Sequence, residues 1–171
     1  MTSILRVDSI QTAAGGSATA SSLGIGGVGK LLQQVTTEIS TETSLTTTSF
    51  ADLTGFTASI TPISSSSKII IIASFLVNFD ETGIQQGLKV QLYNVTDSAS
   101  ANIYPIARYK NGGNYFYNWC TPYFSTNSWG TTARSYKLQG AGTDGTNLIK
   151  ISRTDAFSAP SRGHFIIQEI S

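Results

Sequence analysis

The chain has 171 residues, 12% of them charged, and a formal net charge of +1, where an ordinary soluble domain carries about a quarter charged residues. Long-range steering towards nucleic acid or an anionic membrane is therefore weak. One cysteine, Cys120, leaves no intrachain disulfide, and the longest unbroken apolar run, residues 69–73, is far shorter than the roughly 20 residues that cross a bilayer.

The first 30 residues open with a short strand-like phrase, Ile4 to Ile10, and continue in Ala, Gly, Ser and Thr. A secretory signal needs a cationic start followed by an unbroken apolar stretch, and Arg6 and Asp8 interrupt this one. No export signal is expected. "GIGGVGKL" at 24–31 nearly spells a phosphate-binding loop, but Leu31 stands where a Ser or Thr must hold magnesium. A flexible glycine linker is the better reading. The chain thus divides into an N-terminal segment, 1–30, and one domain, 31–171.

Ser and Thr make up about a quarter of the chain. Their hydroxyls compete with the helical backbone, and β-branched residues lose rotamer freedom in helices. Strands are predicted throughout. Val35, Thr37 and Ile39 alternate with Gln34, Thr36 and Glu38; Phe56, Ala58 and Ile60 alternate with Thr57, Ser59 and Thr61. Leu88, Val90 and Leu92 continue the pattern, as do Ile149 and Ile151. Each of these reads as a strand with one wet face.

Two stretches break the alternation. "SSSSKIIIIASFLVNF" holds four consecutive isoleucines, 69 to 72, and "GHFIIQEIS" ends the chain with Phe165, Ile166 and Ile167 together. A strand apolar on both sides must be covered on both sides, and in an all-β chain of this length the second cover is expected to be another copy. Turn signals at 61–62, 80–83, 111–114, 140–147 and 158–163 separate the strands. The predicted fold is all-β, a jelly-roll sandwich preceded by an extended attachment segment. No heptad pattern encodes a coiled-coil shaft.

Candidate chemistry is sparse. "GAGTDG" at 140–145 matches a dinucleotide-binding glycine pattern, but the residues after it alternate as a strand and offer no helix N-terminus, so a hairpin loop is expected. His164 is the only histidine, which rules out a His-based metal cluster, and no nucleophile elbow is present. It reads as a strand-end histidine. Asp80-Glu81 lacks the spaced ligands of a calcium loop and reads as a solvated turn. "NVT" at 94–96 has meaning as a glycosylation acceptor only in a eukaryotic secretory protein. No cofactor, metal or catalytic residue is expected.

Residues 104–136 hold ten of the seventeen aromatics among Asn, Ser, Gly and Arg. Aromatic faces stack on sugar rings while amides and hydroxyls bond their hydroxyls, and the same residues serve protein-recognition loops. Tyr115, Tyr117, Trp119 and Trp129 are the candidate receptor contacts. Against them stands the plainer reading in which alternate aromatics fill the sandwich.

The phrases "ILRVDSIQTAAGG", "FADLTGFTASITPISSSSKIIIIASF" and "GHFIIQEIS" resemble those of small structural or tail-fibre-like proteins of bacteriophages, especially of marine bacteria. The bodies of such proteins look like the complement globular-head and tumour-necrosis-factor type of jelly roll, which assembles as a trimer. The resemblance implies a virion location, a homotrimer, and attachment to other virion proteins through Ile4, Leu5, Val7 and Ile10, with the following residues as a tether. A few apolar residues without a core of their own can order by adding to another chain's edge. The expected function is a structural one, the trimeric knob of a short fibre or a particle decoration. Two alternatives are a receptor-binding tip that recognises a host surface glycan or protein, and a free bacterial lectin-like module. An enzymatic depolymerase fits less well, because its paired carboxylates would have to come from acids that lie in turns, such as Asp80, Glu81 and Asp144.

Overall fold

The computed structural model describes residues 29–79, 86–108, 116–143, 148–152 and 163–171. They form eleven strands: β1 (Leu31–Ile39), β2 (Thr43–Leu45), β3 (Ala51–Ile60), β4 (Lys68–Phe79), β5 (Gln86–Asn94), β6 (Ala99–Arg108), β7 (Phe116–Cys120), β8 (Tyr123–Asn127), β9 (Arg134–Gly142), β10 (Ile149–Ile151) and β11 (Gly163–Ile170). Their pairings are antiparallel and make two sheets packed face to face.

β4 organises the first sheet. Its first half pairs with β11 on one side and β8 on the other, and its second half with β10 and β7. β7 and β8 keep one continuous register along β4, interrupted only at Thr121-Pro122. Proline has no N–H to give a ladder, but the Pro122 carbonyl still accepts from the Ala73 N–H at 3.1 Å. β1 and β2 likewise lie along one outer line, against β11 and β10. The second sheet runs β3-β9-β5-β6.

Successive strands cross from one sheet to the other at each step from β2 to β5, and again from β6 to β7, β8 to β9 and β9 to β10; β5 and β6 pair as neighbours within the second sheet. This is the winding of a jelly roll. It leaves the faces of both sheets and the rim between β6 and the β7–β8 line open to solvent or to partners.

The core lies between the sheets. Ile69, Ile71, Phe75, Val77, Phe165 and Ile167 from the first sheet meet Phe56, Leu88, Val90 and Leu138 from the second, all fully buried. Phe56 and Phe75 meet edge to face with ring centroids 5.4 Å apart, the arrangement their ring quadrupoles favour.

Two expectations need correcting. The isoleucine-rich runs are less oily on the outside than their sequence suggests: Ile69, Ile71, Phe165 and Ile167 are dry within one chain, and only Ile70, Ile72 and Ile166 are left half-buried. The "GAGTDG" stretch is not wholly a loop either, because Gly140 to Gly142 belong to β9. A Cβ on Gly140 would come within 2.9 Å of Leu45 Cδ1 and Leu53 Cδ2, so glycine is set there by close packing of the second sheet on the first. His164 does stand at the start of the last strand, as expected.

Candidate functional site: an apolar sheet face and an aromatic pocket

The outer faces of the two sheets differ in chemistry. On the second sheet, Lys137 Nζ bonds Asp52 Oδ2 at 2.8 Å, Gln139 Nε2 bonds Asp52 Oδ1 at 2.7 Å, and Gln91 Nε2 bonds Gln139 Oε1 at 2.8 Å. Lys137 also lies 5.0 Å over the Tyr93 ring. These hydrogen bonds hold the Asp52 carboxyl below the usual carboxylate range, with Lys137 the largest influence. Such a face is content in water.

The outer face of the first sheet carries a different row. Thr36, Ile166, Ile72 and Tyr123 stand side by side across β1, β11, β4 and β8, and the next row is Gln34, Gln168, Ile70 and Ser125. At the strand spacing of about 4.8 Å, Ile72 stands between Ile166 and Tyr123, and Ile70 lies one row along on the same face. Tyr123 is 46% exposed. Lys68 on the Ile70 side and Glu38 on the far side of Thr36 bound the patch, both exposed. Along β6, Ile103, opposite Gln91, is 57% exposed on the outer face of the second sheet, and Tyr104, opposite Val90 and 36% exposed, lies on the other side at the open rim. Tyr104 there meets Phe124 edge to face at 5.0 Å.

One polar group is buried at the end of this sheet. Glu169 is completely inaccessible and faces the core side of β11 with Phe165 and Ile167. Its carboxylate accepts from Ser67 Oγ at 2.6 Å, Gln33 Nε2 at 2.6 Å, and the N–H groups of Ile63 and Ser64 at 2.9 Å. Burial alone would raise its pKa, but these donors outweigh burial and bring it down to about 2. The four-serine run is thus a loop wrapped round a carboxylate, tying β1, β11 and the approach to β4 together.

At the same end, a pocket of ≈ 200 Å³ opens between the sheets, with Ile71, Leu92, Phe124 and Tyr136 at its apolar base. Trp129 forms a wall. Its Nε1 donates to the Thr132 carbonyl at 2.7 Å, and its ring stands 5.6 Å from that of Tyr136. The Arg134 guanidinium lies 4.9 Å from the Trp129 ring centroid and is paired with Asp97. Asp97 is held in turn by Asn94, which donates from Nδ2 at 3.1 Å and accepts from the Asp97 N–H at 3.1 Å.

Of the sequence-derived candidates, Ile4, Leu5, Val7, Ile10 and Tyr115 lie outside the described residues. Tyr117 and Trp119 belong to β7, opposite Asn78 and Leu76 of β4, whereas Trp129 follows the far end of β8. Eight residues of continuous register separate Trp119 from Asn127, about 27 Å of strand, so the aromatic stretch does not converge on one place. Phe124 and Tyr136 fill the sandwich, as the plainer reading expected.

Sequence reasoning missed Glu169, although its signal was present: it shares the parity of Phe165 and Ile167, so alternation alone put a carboxylate on the core face. The pairing of Arg134 with Asp97 has no such signal. Cys120 is buried, and burial pushes its thiol up to about 11.

No protein-family model matches the chain, and no curated protein matches it. Among solved structures, it is similar to a chain in the structure of infectious bursal disease virus Gx strain, with 11% identity and a TM-score of 0.43 over 97% of this chain and 43% of that one. It is also similar to a chain of the T13 viral particle of the same virus, at 14% identity and TM-score 0.41 over 81% and 37%. A third is the VP2 subviral particle of that virus, at 11% and 0.40 over 82% and 40%. The chain spans less than half the length of each of these viral chains.

Proposed function

We propose that this protein is a non-enzymatic structural component of a bacteriophage virion, a homotrimeric knob or decoration held to the particle through its N-terminal segment. The observation that carries the reading is the contrast between the two sheet faces. A domain living alone in water has no use for Ile70, Ile72, Ile166 and Tyr123 side by side, while its other sheet is laced with ion pairs and amides. The open rim at Tyr104, Pro105, Pro122 and Tyr123 is a second, mostly apolar surface of different shape. Two unlike surfaces that complement each other make a head-to-tail contact, which closes into a ring when the rotation permits. Three copies is the number implied by the bacteriophage resemblance. Low charge favours the same outcome, since a Ser- and Thr-rich surface is brought into contact at little desolvation cost.

The test is an image reconstruction of particles from a host expressing this chain with an epitope tag at its C-terminus. The reading expects antibody density on a threefold knob at the particle surface. Particles that lack the protein altogether contradict it.

A further inference from the structure

We propose that Lys150 and Asn78 join to one another through a side-chain amide bond in the folded chain, with Glu42 carrying the protons. The assignment rests on these three side chains and does not require the assembly reading. β10 lies between β2 and β4, and Lys150 stands directly opposite Ser44 on one side and Asn78 on the other. Its neighbours Ile149 and Ile151 are buried in the core, so Lys150 points away from it, on the same face as Asn78 and Ser44. Directly opposed side chains have Cβ atoms about 4.5–5.5 Å apart. The flexible four-carbon stem of lysine can lay its amine against the neighbouring amide.

The third member comes from the residues that join β1 to β2. Glu42 Oε1 lies 3.9 Å from Lys150 Nζ and accepts from Ser44 Oγ at 3.4 Å, which orients the carboxylate beside the amine. The trio differs from an ordinary surface ion pair. The Lys150 and Glu42 side chains are only 19% and 25% exposed, and 3.9 Å is too long for the hydrogen bond that offsets desolvation of such a pair. Asn78 is completely inaccessible. A charged amine is disfavoured against a dry amide, and passing its proton to the adjacent carboxylate leaves a nucleophile beside a carbonyl carbon.

The reaction balances with these groups alone. Glu42 takes a proton from the Lys150 ammonium, and the freed Nζ electron pair attacks Asn78 Cγ to form the Nζ–Cγ bond. The Glu42 acid then protonates Nδ2 as the Cγ–Nδ2 bond breaks, and takes the second proton from Nζ. Ammonia leaves and carries that proton away as ammonium. The products are a neutral amide and an ionised Glu42, and nothing is oxidised or reduced. The bond ties β4 to β10 in a chain whose single cysteine allows no intrachain disulfide, and a cross-link between residues far apart in sequence restricts the unfolded chain.

The experiment is intact-mass spectrometry of the purified full-length protein under denaturing conditions, followed by tryptic mapping. The wild-type chain is expected to be lighter than its sequence by the mass of one ammonia molecule, with tryptic peptides 69–89 and 138–153 recovered as one joined species. The Lys150→Arg and Glu42→Gln chains should keep the full mass and yield the two peptides separately. The wild-type result decides by itself, so the test does not depend on a variant that folds. A wild-type chain at full mass, a deficit without the joined peptides, or a deficit that persists in Lys150→Arg would each overturn the assignment.

Discussion

Glu169 and Ser67 lie 102 positions apart in sequence, yet the serine hydroxyl donates to the buried carboxylate at 2.6 Å. That bond, with those from Gln33, Ile63 and Ser64, closes the end of the sandwich beneath the apolar sheet face. Glu169→Gln replaces one acceptor oxygen by an NH₂ group that faces donors, so at least one buried donor loses its partner. The expected cost is about 3 kcal/mol of unfolding free energy, read as a lower urea midpoint with an unchanged slope. A variant as stable as the wild type would show that the loop is held by other contacts.

The same carboxylate sets an acid limit. Its pKa is about 2 in the folded chain against 4.5 ordinarily, so its contribution is fully present above pH 4.5 and is lost as the pH falls through 2. Thermal melting from pH 6 downward should show a drop in stability in that window, on the order of 3 kcal/mol. The Glu169→Gln protein should lack this drop.

Neighbouring isoleucines on β4 should respond to substitution in opposite ways. Ile71 faces the core and is 1% exposed; Ile71→Ala should cost about 2–5 kcal/mol. Ile72 faces outward beside Ile166 and Tyr123. Ile72→Asp should leave each chain folded by circular dichroism while dispersing the oligomer in sedimentation velocity, because a carboxylate in a contact between copies has no partner.

Cys120 should be chemically silent in the folded protein. Its thiol is buried and pushed up to about 11, so little thiolate exists at neutral pH. A maleimide should label it at neutral pH only after addition of denaturant, and rapid labelling of the native chain would contradict the burial.

Much of the fold was legible in the sequence because period-2 alternation is a local property. Phe56, Leu88, Leu92 and Ile149 sit on the core face for the reason their spacing gives, and a Ser- and Thr-rich chain has few other ways to satisfy its backbone. Which of two apolar faces would be covered was not legible. Ile69 to Ile72 look equivalent in sequence, and only the register of β4 with β8 and β11 sends Ile69 and Ile71 inward and Ile70 and Ile72 out. The aromatic stretch spreads out for a related reason: nearness along an extended chain is not nearness in space, and about 27 Å of strand lies between Trp119 and the turn that carries Trp129. The pocket is assembled from β4, β5, β6, β8 and β9, a convergence set by topology and invisible to spacing.

A trimer of this chain requires the outer face of the first sheet to be a contact between copies. The native mass of the purified full-length protein at micromolar concentration tests this most directly. Three times the 18.2 kDa chain mass is the predicted result, and a folded, persistent particle of a single chain mass would contradict it.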